Sequence, residues 1–318
     1  MVFFASLQSM FSLTLLVLVG YLVARRGWIA PETEIFVPRF IMNVVFPPFL
    51  TGNIVTHFPH DAVLHMLAGS LIPATSMLLT STLAYLVALM LGVRQGRRAV
   101  FAITATTSNA MFIGIPVSMA FFGEAALPFV LLYFFANTFY FWALGSFLLS
   151  RESGSGGQRL TLWQTLAHII SPPLRGVLLG LALVILGIPV PGVILDTCRH
   201  LGNLAAPLAL IYVGINLQRM DWKQAHFGLD VLCAVFARLA LAPILMLGLL
   251  HIFPAPRLMS DVFVIQSALP TVANLPILAA FYRVDKGYAS LLVSLTTLLG
   301  MLSVPLWRTI LAHVTLGT

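Results

Sequence analysis

The sequence predicts an all-α polytopic membrane protein: ten transmembrane helices in two inverted five-helix repeats, with broken, crossing fourth and ninth helices. Three observations carry this expectation. First, the 318 residues are 59% hydrophobic and only 8% charged, with mean hydropathy +0.99. A soluble domain carries about 25% charged residues, so this chain could not cover a water-facing surface. Second, shifting the chain by 160 residues lays it on itself. Asn43 and Pro47 fall on Asn203 and Pro207, while Gly20, Gly27 and Pro31 fall on Gly180, Gly187 and Pro191. Pro116, Ala120 and Phe121 fall on Pro276, Ala280 and Phe281, and a gap-free repeat of this size governs the whole fold. Third, two of the apolar stretches are interrupted at matching places.

The elements follow in order. Apolar stretches of about 20 residues separated by short polar breaks read as membrane helices, because in hydrocarbon the backbone must satisfy itself. The first, 3–24, lacks the basic start and cleavage site of a removable signal and reads as a span. The second, 35–56, carries Asn43 and Pro47; the third covers 64–92 and the fourth 99–122. On the fifth, 126–149, Tyr133, Asn137 and Tyr140 form a polar stripe at helical spacing. Residues 151–162, with Arg151-Glu-Ser-Gly-Ser-Gly-Gly-Gln-Arg159, form a flexible linker between a first repeat, 1–150, and a second, 163–318. The remaining spans are 164–187, 191–217 with Asn203 and Pro207, 226–252 with Arg238, 260–282, and 288–312.

Charge sets the orientation. Arg25, Arg26, Arg39, Arg94, Arg97, Arg98, Arg151, Arg159, Arg175, Arg219, Lys223, Arg283 and Lys286 fall on one side of the predicted membrane. That is 13 of the 17 Lys and Arg, so this side is expected to be cytoplasmic, with both termini outside. The net charge of +7 is accounted for by orientation, and no nucleic-acid partner is expected. Five spans per half is an odd number, so the second half enters the membrane from the opposite side, as in many secondary transporters.

The interruptions mark a candidate site. The fourth span contains Thr106-Thr-Ser-Asn-Ala-Met-Phe-Ile-Gly-Ile-Pro116, and the ninth Ala268-Leu-Pro-Thr-Val-Ala-Asn-Leu-Pro276. Proline removes a backbone donor and clashes with the preceding turn, so Pro116, Pro270 and Pro276 are the expected hinges. Unwound backbone at mid-membrane is tolerable only where it lines a cavity or is buried in protein. Ser108, Asn109, Gly114, Thr271 and Asn274 are then candidates for substrate binding. Crossed half-helices would aim positive N-terminal ends at the midplane, favouring an anion.

These same residues resemble the auxin efflux carrier family. Thr107-Ser-Asn-Ala-Met-Phe-Ile-Gly-Ile-Pro116 with Phe122-Gly123-Glu124 is similar to that family's fourth span, and Pro207-Leu-Ala-Leu-Ile-Tyr-Val-Gly-Ile-Asn-Leu217 to its seventh. Ala268-Leu-Pro-Thr271 with Asn274 and Ala279 resembles the ninth, and Thr296-Thr297 with Pro305-Leu306-Trp307 the tenth. The resemblance runs over nearly the whole chain. It implies ten helices in inverted repeats and transport of organic anions: malonate and malate in bacteria, auxin in plants. The short linker looks like the bacterial branch. Asn137 resembles a family position near the crossover, and Arg238, five residues before Pro243, resembles the family's eighth span.

Other residues admit two readings. Arg238 lies about twelve residues into its span. An arginine at that depth serves either as counter-charge for a carboxylate substrate or as a cap for exposed carbonyls, or pairs with Asp230. Asn43 and Asn203, with Pro47 and Pro207, read as scaffold positions whose amides bond between helices, in preference to substrate contact. His57, His60 and His65 read as loop histidines rather than metal ligands, and Cys198 and Cys233 have no metal or redox spacing. All ten carboxylates lie at or near span ends, against a carboxylate-pair antiporter. No phosphate loop, nucleophile elbow or zinc-protease motif appears, so no enzyme, cofactor or metal is expected. The expected function is alternating-access transport of mono- or dicarboxylates across the inner membrane. The alternatives are a sodium-coupled symporter of bile-acid-symporter type and, further off, an anion channel. A coupling ion (sodium or proton) and a homodimer stay open.

Overall fold

The computed structural model describes residues 2–57, 69–153, 161–219 and 227–314, and every regular element among them is helical. His60, His65 and most of the linker, 154–160, lie outside the described residues. The helical stretches in chain order are α1 (Val2–Arg25), α2 (31–57), α3 (Leu71–Met90), α4 (Arg98–Thr106), α5 (110–122) and α6 (Glu124–Glu152). They continue with α7 (Leu162–Ile169), α8 (Pro172–Ile185), α9 (Gly192–Gln218), α10 (Leu229–Ile252), α11 (Arg257–Ala268), α12 (Leu275–Phe281) and α13 (Lys286–His313). Six stretches are long and apolar enough to cross a membrane: α3, Arg98–Phe122, α6, α9, α10 and α13. Met10–Arg25 and α8 are shorter apolar helices. This is a multi-pass all-α membrane protein.

The residue repeat reappears as repeated geometry. At the end of α1, Gly27 takes φ +71, and its amide and that of Trp28 donate back to Ala24 and Val23. At the end of α8, Gly187 takes φ +63, and its amide and that of Ile188 donate to Val184 and Leu183. Only glycine enters this left-handed cap without strain. The same two helices pack through glycines. A Cβ on Gly20 would collide with the carbonyl of Ile211 on α9, and one on Gly180 would come within 2.9 Å of Ile54 Cβ and 3.2 Å of the Thr51 carbonyl on α2. Thr51 Oγ1 stitches that second contact, donating to Pro47 O at 2.9 Å and to Gly176 O at 2.8 Å. Small residues let backbones approach where no hydrophobic force drives helices together. Gly214→Leu, whose Cβ would overlap the Val17 carbonyl, is therefore expected to separate α1 from α9. The check is a drop in thermal stability in detergent of more than about 5 °C, the shift expected for the loss of roughly 2 kcal/mol.

Helices bend at more places than the two the sequence marks. A π-turn, Ile41–Val45, holds Asn43 and precedes Pro47, whose missing N–H leaves the Asn43 carbonyl without its ordinary partner. At the matching place α9 turns at 203–204, three residues before Pro207. A third irregularity, the π-turn Ala237–Leu241, precedes Pro243. The span expected over 164–187 is also divided: α7, opened by a Thr161/Gln164 capping box, ends at Ile169, and Ser171 is extended before Pro172 and Pro173. Asn43 donates to Arg39 O at 2.8 Å on its own helix, so the interhelical bond expected of it is replaced by a local one. Asn203 is exposed at the α9 turn and lines an outer groove.

Several connecting segments meet at one end of the molecule. Asp285 accepts from Arg94 Nη2 and Arg97 Nε, each at 2.7 Å, and Arg97 Nη1 also reaches Asp230 at 3.4 Å. The Arg97 guanidinium lies 4.7 Å from the Tyr288 ring centre. Glu152 receives the amides of Gly96 and Ala99, both at 3.0 Å, at the N-terminal end of α4. Burial works against the Asp285 carboxylate, but the Tyr288 amide and the Arg97 and Arg94 guanidinium groups outweigh it and hold its pKa below the usual range. A depressed carboxylate stabilises the fold above its unfolded pKa of about 3.9, and that contribution is lost as pH falls through the folded value. Wild-type thermal stability is thus expected to contain a step lost below about pH 4. In Asp285→Asn, pH-scanned melting should lack that step.

Candidate functional site

The centre of the molecule is where two interrupted helices meet. The first break, 107–109, separates α4 from α5; the second, 269–274, separates α11 from α12. The breaks touch directly. The Asn109 amide donates to Pro270 O at 2.8 Å, and Thr107 Oγ1 lies 3.3 Å from Thr271 Oγ1. The Thr271 amide donates in turn to Thr296 Oγ1 at 3.3 Å. Peptide groups freed by unwinding find partners in the opposite break and on neighbouring helices, as buried backbone must.

The prolines play a different part from the one expected of them. Pro276 sits in the first turn of the helix Leu275–Phe281, where a missing N–H is not missed, whereas Pro116 follows the π-turn Ala110–Gly114 inside α5. The unwinding lies upstream of each, at 107–109 and 269–274. Asn109 closes the first break by accepting from the Phe112 amide at 3.3 Å. Pro270 alone lies within a break, and it rests on Gly300, where a Cβ would come within 2.7 Å of its ring.

Asn137 on α6 grips the first break with both ends of its amide. Its Oδ1 accepts from Ser108 N at 2.9 Å, and its Nδ2 donates to Ser108 O at 3.0 Å. The peptide is thereby held as it would be in a sheet, and the Ser108 side chain is left over. Its Oγ is fully buried and bonds to nothing. A cavity of about 220 Å³ opens beside it. Ser108, Asn109, Asn137, Thr138 and Asn274 give this cavity its polar wall, and Ser171, whose Oγ is likewise unpartnered, reaches it from the start of α8. Met42, Phe112, Phe134, Phe141, Trp142 and Val272 form the apolar remainder. Among the described residues that line it, none carries an ionisable side chain.

Four of the predicted site residues therefore share one cavity: Ser108, Asn109, Asn137 and Asn274. Three do not. Gly114 faces away, against the Gln266 side chain, where a Cβ would come within 2.5 Å of Oε1. Thr271 is fully buried in the contact between the breaks. Arg238 is fully buried behind the crossing. Its Nε donates to Leu269 O at 2.7 Å, its Nη1 to Ala105 O at 3.2 Å and Thr106 O at 2.8 Å, and its Nη2 to Gln266 O at 3.4 Å and Ser267 O at 2.6 Å. The guanidinium is thus spent on the carbonyls of both broken helices. Of the readings of Arg238, the carbonyl cap is the one this geometry displays, and Arg238 is not among the residues that line the cavity.

The aromatic and sulfur-bearing wall was not legible as a site, since Met42, Phe112 and Trp142 look like ordinary lipid-facing or core residues in sequence. A model of the membrane transport protein family matches residues 5–308. The chain belongs to that family. The resemblance to auxin efflux carriers is borne out, and the protein is a membrane transporter. Within the transporter family, the chain is 28% identical over 317 residues to an uncharacterized transporter of Methanothermobacter thermautotrophicus, covering 98% of this chain and 100% of the relative. An uncharacterized transporter of Methanocaldococcus jannaschii is 23% identical, over 94% of this chain and 96% of its own length. A family relative from Arabidopsis thaliana, Protein PIN-LIKES 5, is 28% identical over 167 residues, which is 48% of this chain and 42% of that protein.

Proposed function

We propose that this transporter is a secondary carrier of small organic anions, mono- or dicarboxylates such as malonate or malate. It would move them across the cytoplasmic membrane by alternating access, with both termini outside. The observation that carries this reading is the cavity at the crossing of the two breaks. It offers neutral donors from Ser108, Asn109, Asn137 and Asn274 beside the start of α5, and no carboxylate among its described lining residues to repel an anion. Helix N-terminal ends favour negative charge by about 0.3–1 kcal/mol, and more where partly buried.

The inverted five-helix repeat is part of the same proposal. Its support is that the packing partners exchange under the 160-residue shift: Gly20 meets Ile211, and Gly180 meets Thr51. A pair of elements related in this way has two equivalent arrangements facing opposite sides, which is what alternating access requires. In this reading, α1, α2, α8 and α9 form the scaffold around Pro47 and Pro207, and the crossed breaks move against it. The convergence of Arg94, Arg97, Glu152 and Asp285 at one end is in keeping with a cytoplasmic face there.

The test is transport in proteoliposomes by Asn109→Ala and Asn274→Ala. Each should lose roughly 10- to 100-fold in apparent affinity for a carboxylate substrate, the value of one hydrogen bond to a charged group, with insertion and melting temperature near wild type. Wild-type transport by both variants would sink the assignment of the cavity as the substrate site.

A further inference from the structure

Arg238 does more for the site than hold it together. α4 and α11 both end at the crossing, and the carbonyls that accept from Arg238 are those at or just past their C-terminal ends: Ala105 and Thr106 on one, Gln266, Ser267 and Leu269 on the other. A helix C-terminus carries the equivalent of about −0.5 elementary charge. Two of them side by side amount to about one negative charge, in a buried place where water does not screen it. The cavity begins only two residues beyond Thr106 in the first break, at Ser108, and three beyond Leu269 in the second, at Val272. Left alone, this field would repel the anion that the cavity is proposed to hold. One guanidinium, permanently protonated, matches it in size and opposite in sign.

We propose that Arg238 sets the charge preference of the crossover cavity without touching substrate: it cancels two helix C-terminal ends and leaves the N-terminal end of α5 as the field the substrate meets. The orphaned Ser108 Oγ, buried and lining the cavity, marks where a ligand oxygen would complete the arrangement. Arg238 is in this sense a positioning and selectivity residue. Asymmetry between the halves follows, because the 160 shift places Leu78, an apolar residue, at the equivalent position on α3. The inference rests on the organic-anion reading above.

The experiment compares acids with their uncharged amides: propionate and malonate against propionamide and malonamide, each titrated against the purified protein in a thermal-shift assay, since binding to the folded state alone raises its melting point. In the wild type the acid should act at a concentration about tenfold or more below its amide, the ratio that two neutralised helix ends can supply. In Arg238→Gln that ratio should fall to about one, and in Arg238→Lys, which keeps the charge, it should be retained. A residue that served only to hold the fold would weaken acid and amide in parallel and leave the ratio unchanged. Should R238Q not yield folded protein, R238K decides: a folded lysine variant that has lost the preference overturns the proposal. A wild-type ratio preserved in R238Q overturns it too, while leaving the anion reading intact. Failure of either acid to stabilise the wild type overturns that reading and this inference together.

Discussion

Arg238→Met is expected to lower the melting temperature of the purified transporter more than substitution of any cavity residue. The methionine fills similar volume but donates nothing, and five carbonyls lose their partner at once. Hydrogen bonds between membrane helices are individually modest, averaging about 0.6 kcal/mol, so five amount to about 3 kcal/mol even at that low value. Orphaned buried groups cost about 1–3 kcal/mol each where no alternative partner exists, which makes the lower figure a floor. No water can reach a residue with zero exposure to repair the loss. Arg238→Lys should fall between, because an ammonium has three donors in place of five. Differential scanning in detergent checks this. A melting temperature for Arg238→Met within about 2 °C of wild type would show that the carbonyls find other partners, against the expectation of a shift above about 5 °C.

The second large effect is on transport. Asn137→Ala should abolish it while the protein still inserts and folds. The Ser108 peptide is held by both ends of one amide, at 2.9 and 3.0 Å, and alanine leaves an N–H and a C=O unpaired at the wall of the cavity. The unwound strand is free to move to recover them, so the damage goes into the geometry of the site more than into global stability. A displacement of about 1 Å is enough to cost two orders of magnitude in a positioned site. Asn137→Asp separates the two halves of the clamp, since a carboxylate can accept from Ser108 N but cannot donate to Ser108 O, and it also brings a negative charge to the cavity. Proteoliposome uptake should be lost in both variants. Transport by Asn137→Ala at the wild-type rate would mean that Ser108 needs no clamp.

Much of this site could be read in the sequence because its chemistry has few carriers. In a chain with 8% charged residues, an asparagine or serine within an apolar span stands out, and Ser108, Asn109, Asn137 and Asn274 are all polar residues of that kind. The breaks were legible for a related reason: prolines cluster there. Their mechanism was not, because Pro276 begins a helix, Pro116 lies within one, and the unwinding is upstream of both. Gly114 and Thr271 share the motif with the cavity residues, yet one packs on Gln266 and the other bonds Thr107. Sequence spacing says that residues lie on one segment. Once that segment is no longer a helix, spacing no longer says which way they point.

The sequence by itself determined that the chain spans a membrane, that glycines, prolines and asparagines recur at a 160-residue offset, and where two of its helices give way. Those are properties of composition and of local backbone chemistry: too few charges to face water, a gap-free recurrence of glycine and proline, and proline's missing donor. The role of Arg238 was decided only by the tertiary structure. In sequence it is one cation in an apolar span, equally fit for substrate or for carbonyls. Its partners are five carbonyls, two from residues more than 130 positions before it and three from residues about 30 after it. Backbone carbonyls are present at every residue and leave no trace in the sequence, so only the fold could bring the ends of two broken helices to the same guanidinium.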